Sequence, residues 1–468
     1  MQHEIKTVDR RQWLGVVTGT AIAGLTASST VAETERHAVK QGRTIETDVL
    51  VCGGGPAGLA AATMAARQGA KTLLIERYGR LGGMAVHARV VPISGGVRSP
   101  FVVEVQQRIN GFREEVDRGR RDFVDLEILD LQYADIVLES GAKILLHSHA
   151  MDADVENGRI RSVKLLTKEG ILTVVARQVI DATGDGDVAA FAGAAFEMGR
   201  EQDGLVQPMS IMFTVAGLTG KAQFGGGEED ARRRKIGDET WESVVMRAQK
   251  NGELPENVGV VRTYRVNRSG EACINATQIN RGCGVNVEDL TKAELEGRKQ
   301  AYQVLEFMRK HFPGYENAYI SNMPAVVGVR ESRRILGKQY LVREDLQTGR
   351  QWDDAVVRGA SFIIDIHNPT GSGQAEGRHG EFVHQGAPAR VKPYDIPAGC
   401  LIARDIDGLL IAGRCISGSH EACASYRVQH ICMAIGAGAG TLAGLAAVKG
   451  ISAVQVDVKE VQKVLFDS

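Results

Sequence analysis

The pattern of apolar and polar positions becomes regular after residue 46. Thr47-Asp48-Val49-Leu50-Val51-Cys52 reads as a buried strand, Gly58 to Gln68 as a helix of Ala and Met, and Lys71-Thr72-Leu73-Leu74-Ile75-Glu76 as the next strand. Strand, helix and strand within about 30 residues make a βαβ unit, which requires a parallel sheet. A helical period from about Asp125 to Glu139 leads into a strand at Lys143–His147. Two further strands, Gly158–Thr167 and Leu172–Ile180, are joined by the turn Lys168-Glu169-Gly170. From Gly199 the pattern loosens into a charged, Gly-rich loop (Gly225–Lys235), a polar helix (about Lys292–His311) and scattered strands. Near Ile396 the chain returns to a buried strand, Gly408–Ala412, and then to a small-residue helix from about Ala424 to Val448. No internal repeat is visible.

Composition narrows the classes. The chain has 468 residues, 43% of them hydrophobic and 24% charged, which supports a sizeable core and excludes a wholly disordered chain. Lys+Arg 56 against Asp+Glu 57 leaves a net charge of -1, so nucleic acid is not an expected partner. Seven cysteines without a Cys-x-x-Cys pair fit neither a disulfide framework nor the usual zinc, iron–sulfur or dithiol spacing, and no metal site is expected. The anomaly is 55 glycines against 11 prolines.

The N-terminus reads as a targeting segment. Asp9-Arg10-Arg11-Gln12-Trp13-Leu14 precedes an apolar run from Trp13 to Leu25, and Thr30-Val31-Ala32 supplies small residues ahead of Glu33. Charged start, short apolar stretch and small-residue cleavage point define an export signal, and the paired arginines resemble the twin-arginine type. The expected location is periplasmic or otherwise extracytoplasmic. The run is too short to cross a bilayer stably, and no other stretch is expected to span one.

Gly53-Gly54-Gly55-Pro56-Ala57-Gly58 fits G-x-G-x-x-G between a strand and a helix. There Gly53 permits the tight turn, Gly55 lets a pyrophosphate approach the backbone, and Gly58 lets helix and strand pack closely. The helix N-terminus faces the anion. Glu76, at the end of the second strand, is placed to accept ribose hydroxyls and disfavours a 2′-phosphate by repulsion. NAD and FAD share this fingerprint. Three further segments favour the longer cofactor: Leu81-Gly82-Gly83-Met84-Ala85, Asp181-Ala182-Thr183-Gly184-Asp185-Gly186-Asp187, and the buried strand ending in Gly413-Arg414-Cys415-Ile416-Ser417. That strand precedes a helix containing Gly436, Gly438 and Gly440. Glycine-marked strand ends spread over the whole chain call for an extended ligand, and FAD lying across the sheet is the natural candidate.

These segments resemble the glutathione-reductase-like flavoprotein superfamily and, more narrowly, the FAD-dependent oxidoreductase family found among exported bacterial proteins. The likeness runs from about Asp48 to Val448. Gly328-Val329-Arg330-Glu331-Ser332-Arg333-Arg334-Ile335-Leu336-Gly337 and Asp365-Ile366-His367 are its more family-specific stretches. The resemblance implies an α/β fold: a Rossmann-like FAD-binding domain interrupted by an inserted α+β substrate domain. It divides the chain into the signal (1–32), the first part of the FAD domain (33–208), the substrate domain (209–393), the return segment (394–450) and a tail (451–468). It implies noncovalent FAD, with Gly53, Gly55, Pro56, Ala57, Gly58, Glu76 and Arg77 around the adenine half and the backbone of Ala150 at the adenine. Gly82, Gly83, Met84 and Ala85 would run along the flavin side, and Thr183, Gly184 and Asp185 near the pyrophosphate. Gly413, Arg414 and Ile416 would lie near the ribityl chain and flavin. Ala437 stands where many relatives carry Gln.

The flavin carries hydride or electrons, so the protein must place a substrate C–H against it and supply a base, an acid and charge stabilisation. The candidates are Arg330, Glu331, Arg333, His367, His420 and Arg427, with His420, His367, Arg330 and Arg427 as the expected catalytic set. His420, between the glycine-ended strand and the last helix, suits proton transfer. Arg330 and Arg427 suit a carboxylate clamp or an oxyanion partner. Structural roles stand beside these: an ion-pair web through Arg330–Arg334, a His367 that satisfies backbone carbonyls, and Cys415 as a buried thiol. Asp185 and Asp187 read as caps of the following helix rather than metal ligands. The overall expectation is an exported enzyme that moves electrons between a small polar substrate and an unidentified acceptor. An NAD-dependent dehydrogenase and an FAD-holding protein without turnover are the alternatives.

Overall fold

The computed structural model describes residues 42–91, 93–111, 125–266, 268–373 and 391–467. The export signal expected over 1–32 lies outside the described residues.

The βαβ unit forms from strand Thr44–Cys52, helix Pro56–Arg67 and strand Thr72–Ile75. Pro56 opens the helix, where a missing N–H costs nothing and its fixed φ is already helical. The helix core is Ala57 to Ala65, all buried, a run that gains little from amphipathicity and everything from close packing. Strands Lys143–Leu145, Thr72–Ile75, Thr44–Cys52 and Gly170–Asp181 are parallel neighbours in that order. The long last strand has two partners on its far edge. Its first half pairs antiparallel with Arg159–Thr167, and its last three residues pair parallel with the returning strand Leu409–Ile411. The N- and C-terminal segments thus share one sheet, as the sequence predicts for a domain assembled from both ends.

The C-terminal small-residue helix divides into His420–Tyr426 and Gln429–Lys449, with Val428 extended (φ -78°, ψ 155°) between them. The second helix lies against Pro56–Arg67. A Cβ on Gly436 would stand 2.0 Å from the Ala57 carbonyl oxygen, one on Gly440 2.2 Å from that of Ala61, and one on Gly444 2.9 Å from that of Ala65. A glycine every fourth residue therefore brings two backbones together along one face. Gly436 and Gly440 serve helix packing rather than the cofactor surface. This helix is long and apolar enough to cross a membrane (mean hydropathy 1.9), contrary to the expectation that no such stretch exists after the signal. However, 89% of that window is buried inside the protein.

Two apolar cores follow from the chain order. Residues from Met209 to Val329 form the second, around Phe213, Trp241, Phe307 and Phe312. From Ile335 onward, Leu341, Val356, Ala360 and Ile366 rejoin the first. The expected insertion 209–393 is thus one independent core up to about Val329, followed by a stretch that packs on the cofactor-domain core. Its four-stranded antiparallel sheet holds Arg262–Arg265, Ala272–Asn275, Met212–Ala216 and Tyr319–Asn322 in that order. The charged segment expected as a loop, Gly225–Lys235, contains a helix, Glu228–Arg233. Glu228–Arg232 and Glu229–Arg233 pairs four residues apart support it. All seven cysteines are free thiols, six of them buried.

Candidate cofactor and substrate site

The glycine bends converge. Gly53 turns with φ +105°, its N–H donating to the Ile75 carbonyl at 2.8 Å, and a Cβ there would lie 2.4 Å from the Ala182 oxygen. Gly82 donates to the Gly54 carbonyl at 2.8 Å, and a Cβ on Gly83 would lie 2.8 Å from the Gly55 Cα. A Cβ on Gly184 would touch the Arg414 guanidinium at 2.9 Å, and one on Gly413 the Ala57 Cβ at 3.1 Å. Four segments far apart in sequence are therefore brought to van der Waals contact, and they line one continuous trough. Gly53, Gly55, Pro56, Ala57, Glu76, Arg77, Gly83, Met84, Ala85, Thr183, Gly184, Gly413 and Arg414 all contribute to its walls. A smaller recess opens beside Glu76 and Arg77, lined by Ser148, His149, Ala150 and Asp187. Ala150 thus lies off the main trough, at the end where the first βα turn sits.

Besides Ala150, four expected contacts are not on the trough walls. Gly58 packs the helix onto its own turn, since a Cβ would meet the Gly53 oxygen at 1.7 Å. Gly82 is the left-handed residue before the helix Gly83–His87, facing Val86. Ile416 is fully buried. Asp185 is buried too: its carboxylate pairs with Arg414 and accepts from the Ser332 hydroxyl at 2.7 Å. The Asp185 and Asp187 side chains do not cap the following helix as expected. Gly186 is its N-cap, and Asp187 pairs with Arg333 at 2.9 Å. Among the described residues no cluster of His, Cys, Asp and Glu is arranged to hold a metal.

Beneath Thr183, Asp181 is wholly buried, and burial raises its carboxyl to about 6. Its Oδ1 accepts from the Thr183 N–H (3.0 Å) and hydroxyl (2.7 Å), and its Oδ2 from the Ala189 N–H (2.8 Å), which fixes the Thr183–Gly184 bend.

His420 does not approach the trough. It is buried with Nδ1 2.8 Å from Glu331, and Glu331 in turn holds Arg334 at 2.5 Å and accepts from the Gln207 N–H at 3.1 Å. Arg334 also donates to the carbonyls of Gly418 and Gly199. The ion-pair web is thus made by Glu331, Arg334 and His420, while Arg333 pairs separately with Asp187. His420 is the first residue of helix His420–Tyr426 and is buried, an orientation that its place between strand and helix does not reveal.

Arg330, His367 and Arg427 do line the trough, at its substrate-domain end, with Asp365, Tyr264 and Asn275. Arg330 donates to the Pro208 carbonyl at 2.6 Å. Arg427 reaches the Asp365 carbonyl oxygen (2.9 Å) and carboxylate (3.2 Å), and His367 Nε2 stands 3.6 Å from that carboxylate. Burial lowers His367 to about 3, with the Arg330 guanidinium adding to the effect, so the ring is neutral at pH 7. Burial alone would raise Asp365, but His367, Arg427 and Arg262 outweigh it and hold the carboxyl well below its ordinary range. Burial also lowers Arg330, to about 9, and Arg427 pushes in the same direction. Tyr264, Asn275 and Asp365 were absent from the expected catalytic set. Tyr264 and Asn275 sit on two short strands of ordinary composition, and only their pairing across the second sheet brings them here. Two buried polar atoms at this end, Arg427 Nε and the Gln429 side-chain oxygen, lack a protein partner.

A trough walled by bare backbone, an acid at the end of the second strand and orphaned polar groups at the far end suit an elongated dinucleotide with a polar head; the fold and site define a nucleotide-binding redox enzyme. The FAD dependent oxidoreductase family matches residues 48–465. The chain belongs to that family, and its cofactor is FAD. It is 29% identical over 160 residues to a thiamine thiazole synthase of Methanococcus aeolicus, covering 31% of this chain and 58% of that one. Over 151 residues it is 30% identical to digeranylgeranylglycerophospholipid reductase 2 of Methanopyrus kandleri, covering 30% of this chain and 38% of the reductase. The chain thus spans little more than half of the one relative and well under half of the other. Among solved structures, it is similar to a geranylgeranyl bacteriochlorophyll reductase-like protein of Thermoplasma acidophilum, with a TM-score of 0.47 and 15% identity. That match covers 90% of this chain and 83% of the other.

Proposed function

We propose that the protein holds FAD noncovalently, in the manner of the glutathione-reductase-like flavoproteins. In this reading it moves a hydride between the flavin and a small polar organic substrate, and an unidentified acceptor or donor completes the cycle. The observation that carries the reading is the convergence of four glycine bends into one trough that ends among Arg330, Arg427 and His367.

FAD, when bound, supplies the hydride acceptor or donor. The chain's own residues do the rest. Glu76 accepts ribose hydroxyls with the lone pairs that its backbone partners leave, and Gly53, Gly55 and Gly184 admit the pyrophosphate. Arg414, locked by Asp185, supports the bend beside Gly184. At the far end Arg330 and Arg427 orient the substrate, and His367, held low partly by the Arg330 guanidinium, is the ring placed to take up a proton once an anion covers that charge. Residues 1–32 direct the folded protein across the cytoplasmic membrane by the twin-arginine route, which suits a cofactor acquired before export.

The test begins with the visible spectrum of the purified protein, followed by acid precipitation. The reading requires yellow flavin that leaves with the supernatant. Substrate pools are then screened without oxygen for bleaching of that colour. A colourless protein after reconstitution with FAD ends the reading, and colour that stays with the precipitate corrects it to a covalent link.

A further inference from the structure

Resting on that reading, we propose that the substrate is an organic anion whose carboxylate sits on Arg330 and Arg427. The charges at this end of the trough do not balance. Asp365 is shared between Arg427 at 3.2 Å and His367 at 3.6 Å, while Arg262, off the trough wall, pairs with Glu228, which also holds Arg232. Among the described residues no carboxylate pairs with Arg330, whose hydrogen-bond partner is the Pro208 carbonyl. On the trough wall at this end Arg330 and Arg427 thus stand with one carboxylate, Asp365, and the surplus positive charge lies there.

A partly desolvated cation without a counter-ion is costly, and one placed where a ligand enters is compensated by that ligand. The surrounding groups agree. Arg427 lines the trough and bonds Asp365 through Nη2, and its guanidinium carries further N–H donors. Tyr264, on the same trough wall, is pushed up chiefly by burial, so it remains a neutral hydroxyl rather than a competing anion. A planar guanidinium matches a carboxylate through two parallel N–H donors, which a neutral amide or alcohol cannot reproduce.

The experiment uses the FAD-loaded protein and reads binding, not turnover. Acetate and malonate, and separately their neutral amides acetamide and malonamide, are titrated while the visible flavin spectrum is recorded. The expected result is a saturable spectral shift with the anions and none with the amides at equal concentration. Arg330→Met and Arg427→Met each weaken the anion about 10- to 100-fold. Arg330→Lys, which keeps the charge and loses the fork, lies between. The wild-type comparison of anion with amide stands even where a variant does not fold. Equal shifts from anions and amides, or a flat titration with both, overturn the inference while leaving the flavin reading intact. So do arginine variants that move the flavin reduction potential and leave anion affinity unchanged, since the charge would then serve the cofactor. A protein without flavin colour removes the reading on which the inference rests.

Discussion

The Gly54 N–H donates to Glu76 Oε2 at 2.7 Å, and the Tyr78 N–H donates to Oε1 of the same carboxylate at 2.9 Å. One side chain therefore ties the first glycine bend to the end of the second strand, before any ligand is considered. Since the carboxylate also lines the trough, its remaining lone pairs face the ligand.

Glu76→Gln keeps the shape but turns an amide NH2 toward one of the two backbone donors. One charge-assisted hydrogen bond is lost and one buried N–H loses its acceptor, which costs about 1.5–3 kcal/mol. The expected outcome is a lower urea midpoint in the apo protein and FAD affinity reduced about tenfold or more. Unchanged values in both would show that the bend holds itself.

The second prediction concerns helix packing. In Gly440→Ala the new methyl meets the Ala61 carbonyl oxygen at 2.2 Å, a backbone atom of the opposing helix that has no rotamer to yield. In Gly438→Ala the methyl meets the Val356 side chain at 3.1 Å, where a shift of a few tenths of an ångström suffices. Overpacking costs about 1–3 kcal/mol, and Gly440→Ala is expected at or above the top of that range. Thermal unfolding of the two variants checks it, and equal melting temperatures would mean that the helices are not in backbone contact.

How much of this was legible in the chain depends on the range of the interaction involved. The βαβ unit was legible because its signals are local: apolar runs, Pro56 at the helix start and glycines at the turn. The trough was legible because each bend carries its own glycine. The break at Val428 was not, since neither Arg427 nor Val428 is a helix-stopping residue and the contact Arg427 makes beside it, to Asp365, lies 62 residues away. His420 was misplaced for a related reason. Its partner Glu331 lies 89 residues away, and nothing in either neighbourhood announces the pairing. The Gly-x-x-x-Gly stripe that looked like cofactor surface is helix contact, which a one-dimensional pattern does not distinguish.

Placing His420 inside the ion web separates two histidines that sequence alone treats alike. His420→Gln removes one partner of Glu331 and leaves Arg334 and the Gln207 N–H, so stability is expected to fall by about 1–3 kcal/mol. The rate at which substrate bleaches the flavin, and its dependence on pH, should stay at wild-type values. His367→Gln, in the trough, is expected to slow that rate by about 100-fold or more, the usual contribution of a positioned proton acceptor. Stopped-flow reduction without oxygen measures both. The reverse ranking would return the proton to His420.

The last prediction concerns acid. His367 has an ordinary value near 6.5 and a folded value of about 3, so the unfolded chain takes up a proton below 6.5 that the native protein refuses. Its contribution to stability is whole above pH 6.5 and drains away as pH falls toward 3. Asp365, held low in the fold, has the same sign: its contribution is present above the unfolded value of 3.8 and is lost as pH falls below it. Asp181 runs the other way. Burial raises it from 3.8 to about 6, so its contribution is present below 3.8 and is lost as pH climbs through 6. Between pH 4 and 6, His367 and Asp181 therefore oppose each other, each with a limiting slope of about 1.4 kcal/mol per pH unit. These two contributions to wild-type stability should nearly cancel across that window. His367→Gln removes one of the two slopes, so the variant should gain relative stability as the solution is acidified from pH 6 to pH 4. Urea unfolding at half-unit intervals reads this directly, and parallel curves for the two proteins would show that His367 keeps its ordinary affinity for protons in the fold.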